Sequence, residues 1–405
     1  MKKRIAIIGG GAAGVFCAIQ LAEKSNAEIH LFEKTNELLK KVKISGGGRC
    51  NVTHQFISNA QFSKNYPRGQ KVLKQNFEHF SALDMKNWLE NHGVRLKTES
   101  DGRMFPTTDD SQTIIDCFLS ILKQKKVTIH FHAEISQIHL NNGNFEFQSD
   151  QSSLLFNYVI IATGGAQKER DLDMFRRLSI QTISPVPSLF TFKIQEKNLT
   201  ELMGIAIPKV HIKILQTNFK EIGPVLITHW GLSGPAILKL SAWGAFFLHE
   251  KNYQFQISVN WSGDKNEAEI TEEIHSLVQN HSSAKTSNQK LGYFPSRFWE
   301  YLLLKSEIPL DKKWSEVSKK QKNKLAQLIT NSIYETNGKT TYKEEFVTAG
   351  GIDIEDIHTT SMESKKIANL YFIGEITNID GITGGFNFQN AWTSAYICAQ
   401  DILSK

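Results

Sequence analysis

The residues best suited to chemistry in this chain are glycines. Gly9-Gly10-Gly11-Ala12-Ala13-Gly14 fits G-x-G-x-x-G, directly after the apolar run Ile5-Ala6-Ile7-Ile8 and directly before a helical pattern over residues 15–24. The spacing has a physical reason. Gly9 permits a tight turn, Gly11 lets a pyrophosphate approach the backbone, and Gly14 lets a helix pack closely on its strand. The helix N-terminus then faces the anion. A second strand pattern, residues 28–32, ends in Glu33-Lys34, with Glu33 nineteen residues beyond Gly14. A carboxylate there accepts hydrogen bonds from adenosine ribose hydroxyls and disfavours a 2′-phosphate, so FAD or NAD is expected rather than NADP.

A second cluster, Ser45-Gly46-Gly47-Gly48-Arg49-Cys50-Asn51, follows soon after. A nicotinamide dehydrogenase has no need of it, whereas an extended flavin dinucleotide must be held along its diphosphate and ribityl chain by backbone N–H groups and an Arg. Two further segments repeat the order found in flavoproteins. Residues 127–135 read as a strand and turn whose backbone, at Ala133 and Glu134, contacts adenine, and residues 158–165 read as a buried strand ending in Thr163-Gly164-Gly165. The last block runs from Leu370 through Gly374-Glu375 and Asp380 to Gly384-Gly385-Phe386-Asn387, with a patterned helix over 388–403. This turn and positive helix end are expected near the pyrimidine side of a flavin, where reduction places negative charge. Glu375 suits ribityl hydroxyls, and Asp380 is either a cofactor contact or a turn former.

The elements needed to position these residues are affordable in 405 residues of which 40% are hydrophobic, with 27 Gly. A net charge of +6 gives a mildly basic surface and names no partner. Cys17, Cys50, Cys117 and Cys398 form no C-x-x-C pair and read as unpaired thiols of a reducing cytoplasm. His130 and His132 share a strand face without a third ligand, so no metal is expected. Gly338-Lys339-Thr340 ends like a P-loop but has Ile333 at the first glycine position, and Gly231-Leu232-Ser233-Gly234-Pro235 misses G-x-S-x-G. The apolar stretch 226–248 is interrupted by His229, Ser233 and Lys239; it reads as a buried helix beginning at Pro235 rather than a membrane span, its N-terminus opening toward a cleft. His229 and Ser233 are the substrate-side candidates. Residues 267–280 and 317–334 read as amphipathic helices, and Val210, Ile212, Ile214 and Phe255, Ile257, Val259, Trp261 alternate as half-buried strands do.

With these pieces in order, the chain resembles the BaiN-like bacterial NAD(P)/FAD-dependent oxidoreductases, relatives of bile-acid dehydro-reductases and aminoacetone oxidases. The matching segments are residues 7–14, 44–53, 105–112, 228–236, 347–351 and 374–390. The resemblance implies an α/β fold with a Rossmann-like, glutathione-reductase-type FAD-binding domain, discontinuous over 1–190 and 346–405. An inserted β-barrel-like and helical substrate domain would fill 191–345. It implies FAD as cofactor, a small-molecule substrate, and NAD(P)H as a transient reductant or oxygen as second partner. The chain departs from the family after Gly165, running from Ala166 into a helix where relatives carry a longer Ser/Tyr/Pro and Gly-rich stretch, so the active-site rim is expected to differ. No second G-x-G-x-x-G marks a dedicated nicotinamide domain. Two other functions remain open: an RNA-modifying flavoprotein, for which Lys319, Lys320, Lys322 and Lys324 would form the basic patch, and a flavin sensor without turnover. A nucleic-acid partner is not the expectation.

Overall fold

A strand with no polar side must be covered on both faces, and β1 (Arg4–Ile8) is: Ile5, Ala6, Ile7 and Ile8 are all buried. The computed structural model describes residues 2–141, 143–148, 153–340 and 347–405. From β1 the chain turns into α1 (Ala12–Lys24) and returns in β2 (Glu28–Phe32), parallel to β1 with Ile7 opposite Leu31. Next come α2 (Lys40–Gly48), the short β3 (Thr53–His54), β4 (Thr128–His130) and β5 (Tyr158–Ile161). β4 extends the parallel sheet beyond β2, and β5 pairs with the other edge of β1. After β5 the chain forms a single 3-10 turn, Glu169–Leu172, and a short helix, Asp173–Arg177, before β6 (Thr182–Pro187).

Contacts divide the chain into two units, Met1–Ser188 with Lys343–Lys405, and Leu189–Tyr342. The second unit starts with β7 (Thr191–Ile194), β8 (Ala206–Ile214), β9 (Lys220–Thr228) and β10 (Gly231–Ser233). Then follow α3 (Pro235–Trp243), α4 (Ala245–Glu250), β11 (Gln254–Asn260), α5 (Glu267–Asn280), α6 (Ser296–Lys305), α7 (Lys319–Thr330) and β12 (Ser332–Thr340). The strands close a barrel in the order β7-β10-β9-β8-β11-β12. Val210, Ile212, Ile214, Ile257 and Val259 line its interior, as their alternation requires.

One helix expectation holds and one needs correction. The helix expected from Pro235 begins there as α3, with α4 following after Gly244; upstream of it Leu226–Thr228 end β9 and a tight hairpin leads to β10. Period two governs this stretch, with Val225 and Ile227 buried and Leu226 37% exposed. The expected helix over 317–334 is α7, and it stops at Thr330 because Ser332-Ile333-Tyr334 alternate buried, exposed, buried and join β12. Its start is fixed by a capping box in which the Ser318 hydroxyl accepts from the Gln321 N–H and the Gln321 side chain accepts from the Ser318 N–H.

The chain re-enters the first unit in β13 (Thr348–Ile352), antiparallel to β6, then β14 (Leu370–Phe372) and the long α8 (Phe386–Ser404). The second expected domain boundary, at residues 345–346, lies outside the described residues. β14 pairs in parallel with β5, so the sheet reads Ile357–His358, Glu363–Ser364, β14, β5, β1, β2, β4. α8 buries Trp392, Ala395 and Ala399 against the α1 side of this sheet, where the Phe16 and Trp392 rings meet edge-on at 5.6 Å. Full burial of a side chain the size of Phe16 contributes roughly 1.5–3 kcal/mol, and that of an alanine methyl about 0.8 kcal/mol. Among the described residues no helix is long and apolar enough to cross a membrane.

Candidate cofactor-binding site

The glycines of the β1–α1 turn differ in what surrounds them. Gly9 has φ +111°, its N–H donates to the Phe32 carbonyl at 2.8 Å, and a Cβ there would stand 2.3 Å from the Ala162 oxygen. A Cβ on Gly14 would stand 2.0 Å from the Gly9 oxygen. These two are demanded by packing. Gly11 is not: its backbone is extended and a Cβ would meet nothing within 4 Å, so its surface stays open at the N-terminus of α1, which no side chain caps. Ala12 and Ala13 form the first turn of the helix.

Glu33 follows β2 with its carboxylate already oriented. One oxygen accepts from the Gly10 N–H at 2.9 Å, and the other from the Thr35 N–H at 2.9 Å and hydroxyl at 2.8 Å. The Ala133 N–H donates to the Glu33 carbonyl at 2.9 Å, which fixes the Ala133-Glu134 turn beside it. Lys34 and Glu134 are exposed.

Ser45-Gly46-Gly47-Gly48 breaks the helical path of α2, with φ +60°, +69° and +85° at the three glycines. Cβ positions at Gly47 and Gly48 are open, whereas at Gly46 a Cβ would press on the Phe105 ring at 2.9 Å. Arg49 is engaged by two carboxylates and an aromatic ring. Its guanidinium lies 4.0 Å from the Phe105 centroid and bonds Glu99 at 2.7 Å, with Asp109 at 3.5 Å, and the Glu99 hydrogen bond raises its pKa. Cys50 is fully buried, and burial pushes its thiol up to about 12, so it carries no thiolate chemistry. Asn51 clamps the cluster to the tail: its amide nitrogen donates to the Thr53 carbonyl at 3.0 Å and its oxygen accepts from the Gly385 N–H at 2.9 Å.

The tail reaches the same place from the other side. A Cβ on Gly374 would stand 2.9 Å from the Ala13 Cβ, which seats the turn after β14 on the first turn of α1. Glu375 bonds Lys41 Nζ at 2.7 Å and the Thr348 N–H at 3.1 Å, and a Cβ on Gly165 would collide with Glu375 and Thr348. Gly164 has φ +76° and an open Cβ position, and Thr163 beside it is exposed. Asp380 is neither a surface turn former nor a free ligand. It is fully buried in an ion pair with Arg68 and a hydrogen bond from Ser188, and burial raises its pKa against the opposing pull of Arg68. Asn387 bonds both backbone groups of Gly381 at 2.8 Å, holding the loop, and Gly384-Gly385 lead into α8, whose N-terminus has no side-chain cap. Phe386 is buried edge-on to Phe62 and Tyr66.

Several partners escape sequence reading because only long-range pairing reveals them. His54 bonds the Gly384 carbonyl at 3.0 Å and stacks on Phe386 at 4.7 Å; Asn378 accepts from the Gly350 N–H at 3.0 Å; Lys41, Arg68 and Ser188 hold the two tail carboxylates. The substrate-side candidates belong to the second unit. His229 is exposed beside Trp230, and Ser233 lies opposite Leu226 in the β9–β10 ladder. Among the described residues no group of His, Cys, Asp and Glu is arranged to hold a metal ion.

A parallel sheet with an open glycine turn at a helix N-terminus, a ribose-type carboxylate after the second strand and a barrel inserted before the last strands defines a Rossmann-like dinucleotide-binding protein of glutathione-reductase type. More narrowly, the chain belongs to the HI0933-like Rossmann-domain family, whose model matches residues 3–401. It is 28% identical to a ribosomal RNA dihydrouridine synthase of Escherichia coli over 98% of this chain and 97% of that protein. It is 26% identical to a 3-dehydro-bile acid delta(4,6)-reductase of Clostridium scindens over 98% of each. The fold is similar to that of 3-ketosteroid delta1-dehydrogenase from Sterolibacterium denitrificans, with a TM-score of 0.51, 10% identity and 99% of each chain covered.

Proposed function

We propose that the protein is a FAD-dependent oxidoreductase that moves a hydride to or from a carbon–carbon bond next to a carbonyl in a small organic substrate. The observation that carries the reading is the open cradle: Gly11, Gly47, Gly48 and Gly164 all leave room where a Cβ would stand, while their neighbours Gly9, Gly14 and Gly165 are closed by packing. A dinucleotide fits that pattern of vacancies. FAD, when bound, supplies the two-electron chemistry that no side chain has. The uncapped N-terminus of α1 receives the diphosphate, and Glu33 accepts from the ribose hydroxyls. The uncapped N-terminus of α8 offers a positive field to an electron-rich ring.

The bond type follows from chemistry common to the relatives' names. A uracil ring that becomes dihydrouridine and a 3-dehydro bile acid unsaturated at position 4 both present an alkene conjugated to a carbonyl. Such an alkene accepts hydride at the carbon remote from the carbonyl and a proton at the nearer one. NAD(P)H acts as a transient reductant in this reading.

A second reading, in which the alkene is a uracil in ribosomal RNA, is favoured by the two whole-length relatives bearing that name, from Escherichia coli and Haemophilus influenzae. Lys319 and Lys320 on α7 are exposed and suit a phosphate backbone, although Lys324 beside them is paired with Glu307. One experiment separates the readings. The purified protein is stripped and its cofactor identified by mass; the holoenzyme is then reduced anaerobically with NADH or NADPH and offered a steroid enone, cyclohexenone or uridine-containing rRNA. Reoxidation by the enones alone supports the first reading, dihydrouridine in the RNA supports the second, and a protein that retains no FAD defeats both.

A further inference from the structure

Four consecutive residues, Asn51 to His54, each bond the tail of the chain. The Asn51 side-chain oxygen accepts from the Gly385 N–H at 2.9 Å, and the Val52 carbonyl accepts from the Trp392 indole N–H at 3.0 Å. The Thr53 hydroxyl donates to the Gln389 side-chain oxygen at 2.7 Å, and His54 Nδ1 lies 3.0 Å from the Gly384 carbonyl oxygen. On its other side this segment is fixed to the strand Arg103–Pro106, with Thr53 opposite Met104 and His54 opposite Arg103. All of these residues belong to the first unit.

Two of the four contacts fall on a single peptide group. The Gly384 carbonyl and the Gly385 N–H are its two ends; His54 holds the first and Asn51 the second. Both flanking residues are glycines, at φ +127° and +91°, so this peptide turns over at little steric cost unless its ends are held. A carbonyl oxygen only accepts, so His54 Nδ1 carries the hydrogen, in the neutral ring and in the imidazolium alike. The ring is seated for that task. It stacks on Phe386 at 4.7 Å, and a Cβ on Gly102 would stand 2.4 Å from its Nε2, so glycine there leaves the ring its place.

We propose that His54 is a positioning residue for the flavin: with Asn51 opposite, it keeps the Gly384–Gly385 peptide in the one orientation that favours the reduced, electron-rich ring. The inference rests on the FAD reading above, in which the pyrimidine end of the flavin meets the turn before α8. A peptide group carries a dipole of about 3.5 D. While His54 donates, the negative end of that dipole is engaged; once released, the peptide is free to turn it toward a ring on which reduction places negative charge. The effect falls on the reduced form more than on the oxidised one. It is therefore read as a change in reduction potential, which a merely structural role would not produce.

The test compares FAD-loaded wild type, His54→Phe and His54→Asn by anaerobic equilibrium reduction against a reference dye. Phe keeps a ring to stack on Phe386 and loses the donor, whereas Asn loses the ring and keeps an amide N–H near the place of Nδ1. His54→Phe is expected to lower the preference for reduced over oxidised flavin about tenfold, a downward shift of about 30 mV for a two-electron couple, and His54→Asn to restore most of it. A packing role predicts the opposite order, with Phe near the wild type and Asn displaced. His54→Leu, lacking donor and ring alike, takes the place of His54→Phe should that variant not fold. In the wild-type protein itself, ¹⁵N-labelled His54 is expected to show a protonated Nδ1. Wild-type protein that retains no FAD overturns the FAD reading and this assignment with it. Retained FAD with the non-donating variant at the wild-type potential, His54→Asn no closer to the wild type than that variant, or an unprotonated Nδ1 overturns the His54 assignment alone.

Discussion

Glu33 shows how one side chain serves fold and ligand together. Its carboxylate holds the Gly10 and Thr35 N–H groups, so the acceptor is oriented before any ribose arrives. Glu33→Gln keeps an oxygen for one of those bonds but loses the charge. FAD affinity is expected to fall at least about tenfold, the cost of a charge-assisted hydrogen bond being about 1.5–3 kcal/mol, and the apoprotein to lose about 1 kcal/mol or more, because the Gln amide nitrogen cannot accept from the Gly10 or Thr35 N–H. Equilibrium dialysis and apoprotein melting curves check the two halves separately. A second residue-scale effect lies three positions back. His30 Nδ1 and His130 Nε2 are 2.9 Å apart, so one hydrogen is shared between them, while His30 Nε2 bonds Glu28 at 2.7 Å. Burial, then the His30 charge, holds His130 below the usual imidazole range. A depressed histidine makes the unfolded chain bind more protons, so its stability contribution is complete above about pH 6.5 and is lost as pH falls toward the folded value. His130→Asn is expected to flatten the loss of melting temperature between about pH 7 and pH 5. An unchanged slope would remove His130 from the account. The His-to-His contact was not legible in the sequence, where His130 paired by spacing with His132, because only the β2–β4 register brings His30 beside it.

At the scale of elements, the strand, glycine turn and helix at the N-terminus could be read from sequence because each is local: an apolar run, a spacing and a helical period lie side by side. The same holds for α5, which spans Glu267–Asn280 as its period requires, and for the alternation that fills the barrel. Within 226–248 the helix start at Pro235 was legible, whereas the hairpin before it was not, because hydrophobicity without periodicity does not mark a buried hairpin. The locks were invisible for a different reason: Asn51 to Gly385 and Arg68 to Asp380 join segments hundreds of residues apart. The β1–α1 turn offers a paired test of what its glycines do. Gly11 has φ −82° and open space at its Cβ position, so Gly11→Ala is expected to leave apoprotein stability within about 1 kcal/mol while abolishing close approach of the diphosphate. Gly14→Ala places a methyl 2.0 Å from the Gly9 oxygen and is expected to cost about 1–3 kcal/mol or more by forcing α1 off its strand. Chemical denaturation of both apoproteins, with FAD titration of each, measures the contrast. Equal destabilisation by the two substitutions would mean that the Gly11 surface is a packing surface and not a cradle.

For the molecule as a whole, the first unit is discontinuous in sequence but closed in structure. The Ser188 N–H donates to the Val347 carbonyl at 2.8 Å, and Pro187 lies opposite Thr348 in the antiparallel β6–β13 ladder. The chain thus leaves and re-enters at two adjacent points, as the ends of a hairpin do. Every expected cofactor contact, from Gly9 to Asn387, lies in this unit, and so does the Arg68–Asp380–Ser188 cluster that ties the tail loop to the last residue before the departure. Replacing residues 189–346 with Asn-Gly should therefore close β6 and β13 through a two-residue hairpin turn, whose twist matches that of paired strands. The shortened protein is expected to melt cooperatively and bind FAD, and circular dichroism and flavin content measure the two properties independently. A shortened chain that folds but binds no FAD would mean that the inserted unit supplies part of the cofactor site, and the cradle would then need residues from both.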